Sequence, residues 1–368
     1  MKILYVSRQF NRSGYEILEY LINHTTFKPD AILLPFDNAN LKLDDEIHSV
    51  EEINKYMQEA DYYDCKPLRF LKSIKLLADN VGIRVIQKES IKTDETYQLI
   101  KEMSFDLIVL GGGWPELLPK RVIRLPKLGV INAHPSLLPE FRGTDIHRWQ
   151  VLMNVQTSGV TIHYVDETFD TGEILGQVST QVSSQDTPQE LFAKVAGISG
   201  PLMNTVLDKI QVKMPEKVKG APQAERNAKS KYFSAWKWDD KEFQFINWRK
   251  SAYELWRLVL ASTQESYKYN GPYFNVKGHV YILRQAEVVN WELAALCGDI
   301  LDCQGYMAIK CGNSNFALKL LQVQPINKDD WNGCNHMAAA ISGKEFLLCE
   351  NMSVGDNILS FEVKGGTK

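Results

Sequence analysis

Residues 105–135, FDLIVLGGGWPELLPKRVIRLPKLGVINAHP, contain two apolar runs that end in different ways. FDLIVLGG (105–112) is a continuous aliphatic run that stops at glycine, the pattern of a strand buried on both faces. KLGVINAHP (127–135) supplies a second strand, which ends on polar residues and a proline. Toward the N-terminus, strand and helix signals alternate. KILYV (2–6) reads as a strand, and Ile17, Leu18, Leu21 and Ile22 follow at helical spacing. AILLP (31–35) and IRVIQ (83–87) read as strands, and 68–80 and 93–103 as helices. In the other direction, GVTIHYVD (159–166) and EILGQVSTQV (173–182) read as strands that finish the sheet, and 188–210 as a long closing helix. Strands separated by helices at these lengths predict an α/β fold around a mostly parallel sheet covered on both faces.

One stretch interrupts the alternation. Residues 36–66 are acidic and poorly periodic, with Asp44, Asp45, Glu46, Glu51, Glu52 and Glu59, and read as a lid-like insertion carrying a short helix. A second change of texture comes later. Residues 212–231, VKMPEKVKGAPQAERNAKSK, have two prolines, many charges and few large apolar groups, which is linker composition. Beyond them aromatics crowd in: Tyr232, Phe233, Trp236, Trp238, Phe243, Phe245 and Trp248. A helix over 250–261 precedes short alternating runs such as YFNVKGHVYIL (273–283), MAIKC (307–311) and FALKLLQVQ (316–324). This predicts a smaller, mainly β domain of barrel type. The expected division is therefore 1–211, a linker at 212–231, and 232–368.

Composition excludes several classes. A chain of 368 residues has room for two domains, and 44% hydrophobic with 24% charged residues is the balance of a soluble globular protein. The net charge of -3 carries no global signal for nucleic acid or for a basic membrane-surface protein. No run reaches the roughly 18 apolar residues of a membrane span, and MKILYVSRQF reads as a first strand rather than a secretory leader. Six cysteines (65, 297, 303, 311, 334 and 349) include no CxxC pair, so no metal site is expected, and reduced thiols in a cytoplasmic protein are.

The chemistry concentrates in two segments. In GVINAHPSLLPEFRGTDIHRWQ (129–150), Asn132 and His134 sit two apart at the carboxyl end of a buried strand, so they share a face. Ligands of open α/β sheets bind at that end of the strands. In YVDETFDTGEIL (164–175), Asp170 lies in a glycine-containing turn between two strands. An amide, an imidazole and a carboxylate suit acyl transfer to an amine. The amide N–H stabilises the oxyanion, the imidazole moves protons, and the carboxylate orients and charges the imidazole. Spacing alone leaves bland roles open for all three: a strand-end cap, a hydrogen-bonded core histidine and a turn former. The other six histidines read as structural. His147 falls on a helix beside the site, His163 alternates along a strand, and His24, His48, His279 and His336 have no partner pattern.

NAHPSLLPEFRG followed by GVTIHYVDETFDTGEIL resembles the signature of the folate-dependent formyltransferase family. The resemblance covers roughly residues 1–210 and is strongest over 105–182. It implies a Rossmann-like formyltransferase sheet, N10-formyltetrahydrofolate as the donor, and Asn132, His134 and Asp170 as the catalytic trio. It also implies that LGGGWPELLP (110–119) and VDETFD (165–170) flank the pterin, with Gly111, Gly112, Gly113, Trp114, Val165 and Asp166 as wall residues. The glycine run lacks the spacing of a dinucleotide fingerprint. The C-terminal part, from WRKSAYELWRLVLAST (248–263) to ALKLLQVQP (317–325), looks like the small OB-like barrel appended to some family members.

The acceptor amine rests on less. Residues 211–368 hold 20 Lys/Arg against 17 Asp/Glu, a weak balance for a tRNA platform. FRGTDIHRW resembles the Arg/Lys-Gly-x-Asp-x-x-x-Trp pattern of sugar N-formyltransferases. The expected acceptor is thus a nucleotide-linked amino sugar, with Arg142, Asp145, Arg148 and Trp149 as contacts. The aromatics of the C-terminal part offer a homodimer surface. Two alternatives stay open: a methionyl-tRNA formyltransferase, for which the basic linker argues, and a formyltetrahydrofolate hydrolase or folate-binding regulator.

Overall fold

The computed structural model describes residues 1–35, 72–114, 116–224, 232–235, 245–262, 272–312, 314–326, 342–343, 345–346 and 350–360. The lid-like insertion expected at 36–66 lies outside the described residues, as do Trp236, Trp238, Phe243, His48 and His336. Contacts group the chain into two units. The first comprises Met1–His147, Val155–Ser183 and Glu190–Ala235. The second gathers Arg148–Asn154, Ser184–Gln189 and the described residues after 236.

Seven strands build the sheet of the first unit: β1 (Ile3–Val6), β2 (Ala31–Pro35), β3 (Arg84–Lys88), β4 (Leu107–Leu110), β5 (Val130–His134), β7 (Thr157–Tyr164) and β8 (Ile174–Gln181). A two-residue strand, β6 (Arg142–Gly143), falls between β5 and β7 in the chain. The order is β3-β2-β1-β4-β5-β7-β8. β3 to β5 run parallel across the sheet, and β7 and β8 are antiparallel. Burial follows position. Every residue of β1, β2 and β4 is buried, while the edge strands β3 and β8 carry exposed residues. Each aliphatic side chain buried there contributes about 1.5–3 kcal/mol relative to leaving it in water.

The helices are α1 (Arg12–His24), α2 (Ile74–Asn80), α3 (Asp94–Met103), the short α4 (Lys120–Ile123), α5 (Ile146–Leu152) and α6 (Pro188–Lys213). Local chemistry sets their ends. Asn11 caps α1 by accepting from the Gly14 N–H, and Thr93 caps α3, whose first turn holds Asp94 and Glu95. β4 is followed by Gly111, where a Cβ would lie 1.9 Å from the Tyr5 hydroxyl. Tyr5 is fully buried and its hydroxyl donates to the Gly14 carbonyl at 2.7 Å, so the ring cannot yield.

The stretch expected as a linker is laid on the first unit. Residues 212–213 complete α6. Ala221 and Ile174 exchange two backbone hydrogen bonds of 2.8 Å, Tyr164 Oη donates to the Val218 carbonyl at 2.9 Å, and the Lys217 ammonium sits 3.9 Å above the Tyr164 ring. β9 (Tyr232–Phe233) then pairs in parallel with β6. The tether reading fails here because composition records charge and proline but not which backbone groups find partners.

The second unit carries helix α7 (Ala252–Ser262) and a five-stranded antiparallel sheet. Its strands are β10 (Tyr273–Val276), β11 (His279–Asn290), β12 (Ile300–Cys303), β13 (Tyr306–Lys310) and β14 (Phe316–Ile326), in the order β10-β11-β14-β13-β12. Trp248, Phe274 and Phe346 are fully buried in its own core with Leu255, Leu283 and Leu318. The mainly β domain read from the alternating runs is thus a separate antiparallel sheet. Among the described residues no helix is long and apolar enough to cross a membrane.

Gly111→Ala is expected to destabilise the chain by about 1–3 kcal/mol, because it drives a methyl into the buried Tyr5 hydroxyl. Urea denaturation measures this, and an unchanged midpoint would show that Tyr5 can move.

Candidate active site

The site is assembled where β5, β7 and two loops meet. The antiparallel register sets Asn132 opposite His163 and His134 opposite Thr161. Period two along each strand puts Asn132, His134 and His163 on one face. The chain leaving His134 is stapled back on itself. Ser136, fully buried, donates to the Glu140 carbonyl at 2.6 Å. The Thr161 hydroxyl donates to the Ser136 carbonyl at 2.6 Å and accepts from the Leu138 N–H at 3.1 Å. This loop carries Phe141 to a left-handed φ of 56° and brings its carbonyl within 2.7 Å of His134 Nε2.

Asp170 enters from the turn between β7 and β8, with a φ of 55°. Gly172 must be glycine at this turn, since a Cβ would meet the Tyr164 carbonyl at 1.9 Å. Asp170 Oδ2 accepts from the Gly143 N–H at 2.9 Å. Its Oδ1 lies 3.4 Å from His134 Nδ1 and 3.6 Å from His163 Nε2. Gly143 has a φ of 111°, and a Cβ there would fall 2.0 Å from the Phe233 carbonyl.

Hydrogen bonding assigns the tautomers. His163 Nδ1 faces the Tyr164 carbonyl at 2.7 Å and therefore donates. Its Nε2 is left as an acceptor, and Asn132 Nδ2 donates to it at 3.2 Å. The amide of Asn132 is thereby oriented. Burial drives the His163 pKa down from 6.5 to about 4, with Asp170 pulling the other way and His134 adding to the fall. His163 is neutral at ordinary pH. His134 is different: Nε2 donates to the Phe141 carbonyl, so Nδ1 is the nitrogen that can exchange a proton with Asp170.

Asn132, His134 and Asp170 thus converge, as expected from their motifs. His163 does not behave as a strand histidine without a partner. It joins Asn132 to Asp170 in space, and the signal missed was the register of β7 against β5. Of the residues expected to flank a pterin, Gly112 and Gly113 adopt φ of 106° and 75°, and Ser7 Oγ donates to the Gly112 carbonyl at 2.9 Å. Trp114 and Val165 pack on one hydrophobic cluster with Leu110 and Val130. Trp114 Nε1 is buried with no hydrogen-bond partner among the described residues. Asp166 is bound into its own turn by Thr168 N–H at 3.0 Å and Thr171 Oγ1 at 2.7 Å.

The residues expected to meet an acceptor divide. Arg142 is buried, and its Nε and Nη2 donate to Gln223 Oε1 at 3.2 and 2.9 Å. Arg148 is also buried and donates to the Ala261 carbonyl at 2.7 Å. Both guanidinium groups thus spend donors on internal acceptors. Trp149 is half-buried, and Asp145 is exposed with a φ of 52°. Sequence reasoning overlooked two aromatics here: Phe169 and Tyr232, 49% and 47% exposed, with ring centroids 5.4 Å apart beside Asp170. Among the described residues no cluster of His, Cys, Asp or Glu is arranged to hold a metal ion.

Comparison with known proteins bears on this geometry. Residues 42–207 match the formyl transferase family, and residues 240–338 match the formyl transferase C-terminal domain. The methionyl-tRNA formyltransferase of Caldanaerobacter subterraneus subsp. tengcongensis is 28% identical over 252 residues, which cover 68% of this chain and 77% of that protein. Among solved structures, the N-formyltransferase from Helicobacter canadensis, in complex with folinic acid and dTDP-3-aminofucose, superposes with a TM-score of 0.58 at 21% identity. That match covers 87% of this chain and 99% of the other. HypX from Aquifex aeolicus, in complex with tetrahydrofolic acid, shares the fold with a TM-score of 0.55 at 15% identity. The match covers 100% of this chain, which spans 50% of the length of HypX.

A neutral His163 has a measurable consequence. Between its folded value of about 4 and its ordinary 6.5, the unfolded chain binds a proton that the folded chain refuses, so stability rises with pH across that window. The denaturation midpoint should fall as pH is lowered from about 6.5 to 5, and fall less steeply in His163→Gln. Identical slopes would contradict the neutral assignment.

Proposed function

We propose, from the premise that this chain belongs to the folate-dependent formyltransferase family, that it carries the formyl group of N10-formyltetrahydrofolate to the amine of a nucleotide-linked amino sugar. The observation that carries the reading is the convergence of Asn132, His134 and Asp170 on one face at the carboxyl end of β5. The donor fits the residues present. Trp114 offers an unspent indole N–H next to Val165, and the left-handed glycines 112 and 113 keep side chains out of the same wall. The donor supplies a formyl carbon already activated by attachment to nitrogen.

The chain's own groups do the rest. The free N–H of Asn132 donates to the formyl oxygen as negative charge builds there, and its orientation is held in advance by His163. The amine nitrogen bonds to the formyl carbon, and the bond from that carbon to folate N10 breaks. The amine loses a proton and N10 gains one. His134 Nδ1 and Asp170 Oδ1, 3.4 Å apart, form the pair through which those protons pass. No covalent enzyme intermediate is needed, because the acceptor is itself the nucleophile.

Two observations support a nucleotide sugar as the acceptor. The weak excess of basic over acidic residues after position 211 suits a small acceptor better than a polyanion. The exposed Phe169 and Tyr232 rings offer a stacking surface for a base immediately beside Asp170. A second reading, methionyl-tRNA as acceptor, is favoured by the sequence relative from C. subterraneus.

His134→Ala and Asp170→Asn should each slow turnover on the order of 10²-fold with the fold intact. Near-normal rates in both would remove the trio. Formyl transfer to a panel of nucleotide amino sugars, to methionyl-tRNA and to water alone separates the acceptors. Transfer to the tRNA alone would refute the sugar reading. With a nucleotide sugar as acceptor, Tyr232→Ala should raise its KM by about tenfold while leaving the KM for folate unchanged.

A further inference from the structure

The conformation of Asp170 is costly on its own. A left-handed φ of 55° is uncommon at a residue with a Cβ, although aspartate tolerates it better than most, and here neighbours hold it. The neighbour is Gln223. Its Nε2 donates to the Asp170 carbonyl at 2.8 Å and to the Gly172 carbonyl at 2.8 Å, gripping the turn from both sides. Its Oε1 accepts from Arg142 Nε and Nη2. The amide is thus fully engaged, with two donors and one twice-used acceptor. Arg142 is followed in the chain by Gly143, whose N–H binds Asp170 Oδ2. A closed circuit results: Gly143 holds the carboxylate, Gln223 holds the backbone beneath it, and Arg142 joins the two. With Oδ2 fixed on Gly143, Oδ1 is the oxygen presented to His134.

The segment bearing Gln223 is anchored just upstream. Gly220 N–H donates to Glu173 Oε2 at 3.0 Å, and Ala221 pairs with Ile174. Gln223 also lies outside both segments matched to the family, 42–207 and 240–338, so the family match assigns it nothing.

We propose that Gln223 is a positioning residue for formyl transfer, setting the aim of the Asp170 carboxylate from the stretch that follows α6. The proposal rests on the reading of Asp170 as a member of the trio. A merely structural strap would hold the fold without acting through Asp170, and a double-mutant cycle separates the two.

The test uses the full chain, N10-formyltetrahydrofolate and either dTDP-3-aminofucose or methionyl-tRNA, whichever is formylated. Gln223→Leu removes every polar contact and shortens the side chain by one atom. Gln223→Glu keeps an acceptor for Arg142 but sets oxygen against the two carbonyls. Both should lower kcat about tenfold or more, with the KM for the formyl donor within about twofold. In an Asp170→Asn background, Gln223→Leu should cost less than about a further twofold. Additive losses, or normal kcat in both Gln223 variants while Asp170→Asn is slow, would overturn the proposal. Normal kcat in Asp170→Asn would instead overturn the trio. Should Gln223→Leu fail to fold, Gln223→Glu alone decides. A crystal structure of a Gln223 variant gives a check that needs no acceptor: Asp170 should leave its left-handed conformation and draw away from His134, and an unmoved carboxylate refutes the role.

Discussion

Asp170 brings a negative charge to a place with little water, and two imidazoles share its Oδ1. Its side chain is 14% exposed, and those of His134 and His163 are 4% and 2% exposed. A carboxylate so placed needs hydrogen bonds and a partner to offset its lost hydration. Gly143 supplies the hydrogen bond and His134 the partner. His163 supplies no positive charge, because burial and the neighbouring ring both oppose it. The two histidines therefore take different roles at the same oxygen. Which role falls to which is decided by two backbone carbonyls, Phe141 for His134 and Tyr164 for His163.

This is why the loops matter as much as the catalytic side chains. Phe141, Asp170 and Gly143 all have positive φ, and all three touch the network. Such conformations are retained only where the surroundings over-determine them. The serine of HPSLLP helps deliver a carbonyl to an imidazole, since its hydroxyl donates to the Glu140 carbonyl beside Phe141. The Asp-x-Gly motif has an equally plain cause. Gly172 passes the Tyr164 carbonyl at a distance that forbids a Cβ.

The two units have separate cores. The end of β5, the turn after β7 and residues 111–114 are all borne by the first unit. The second unit has an aromatic and aliphatic core of its own, centred on Trp248 and Phe274. The C. subterraneus relative is named for methionyl-tRNA, and the H. canadensis fold neighbour is in complex with dTDP-3-aminofucose, in keeping with the rule that a fold hosts functions rather than dictating one.

Much of this was legible in the chain itself. Continuous apolar runs marked β1, β2 and β4, because a strand buried on both faces has no polar side to alternate with. Asn132 and His134 were legible because two residues apart on a strand means one face. Asp170 was legible through its motif. The role of His163 was not, since it depends on the register of an antiparallel pair thirty-one residues apart in the chain, which no local pattern encodes. Gln223 was hidden for the same reason. Its segment looks like a tether by composition, and its function lies in hydrogen bonds to Asp170, fifty-three residues away. Local pattern determined the elements and most of the reactive groups. Tertiary pairing alone decided their protonation, orientation and support, because those depend on which distant backbone groups arrive within hydrogen-bonding distance.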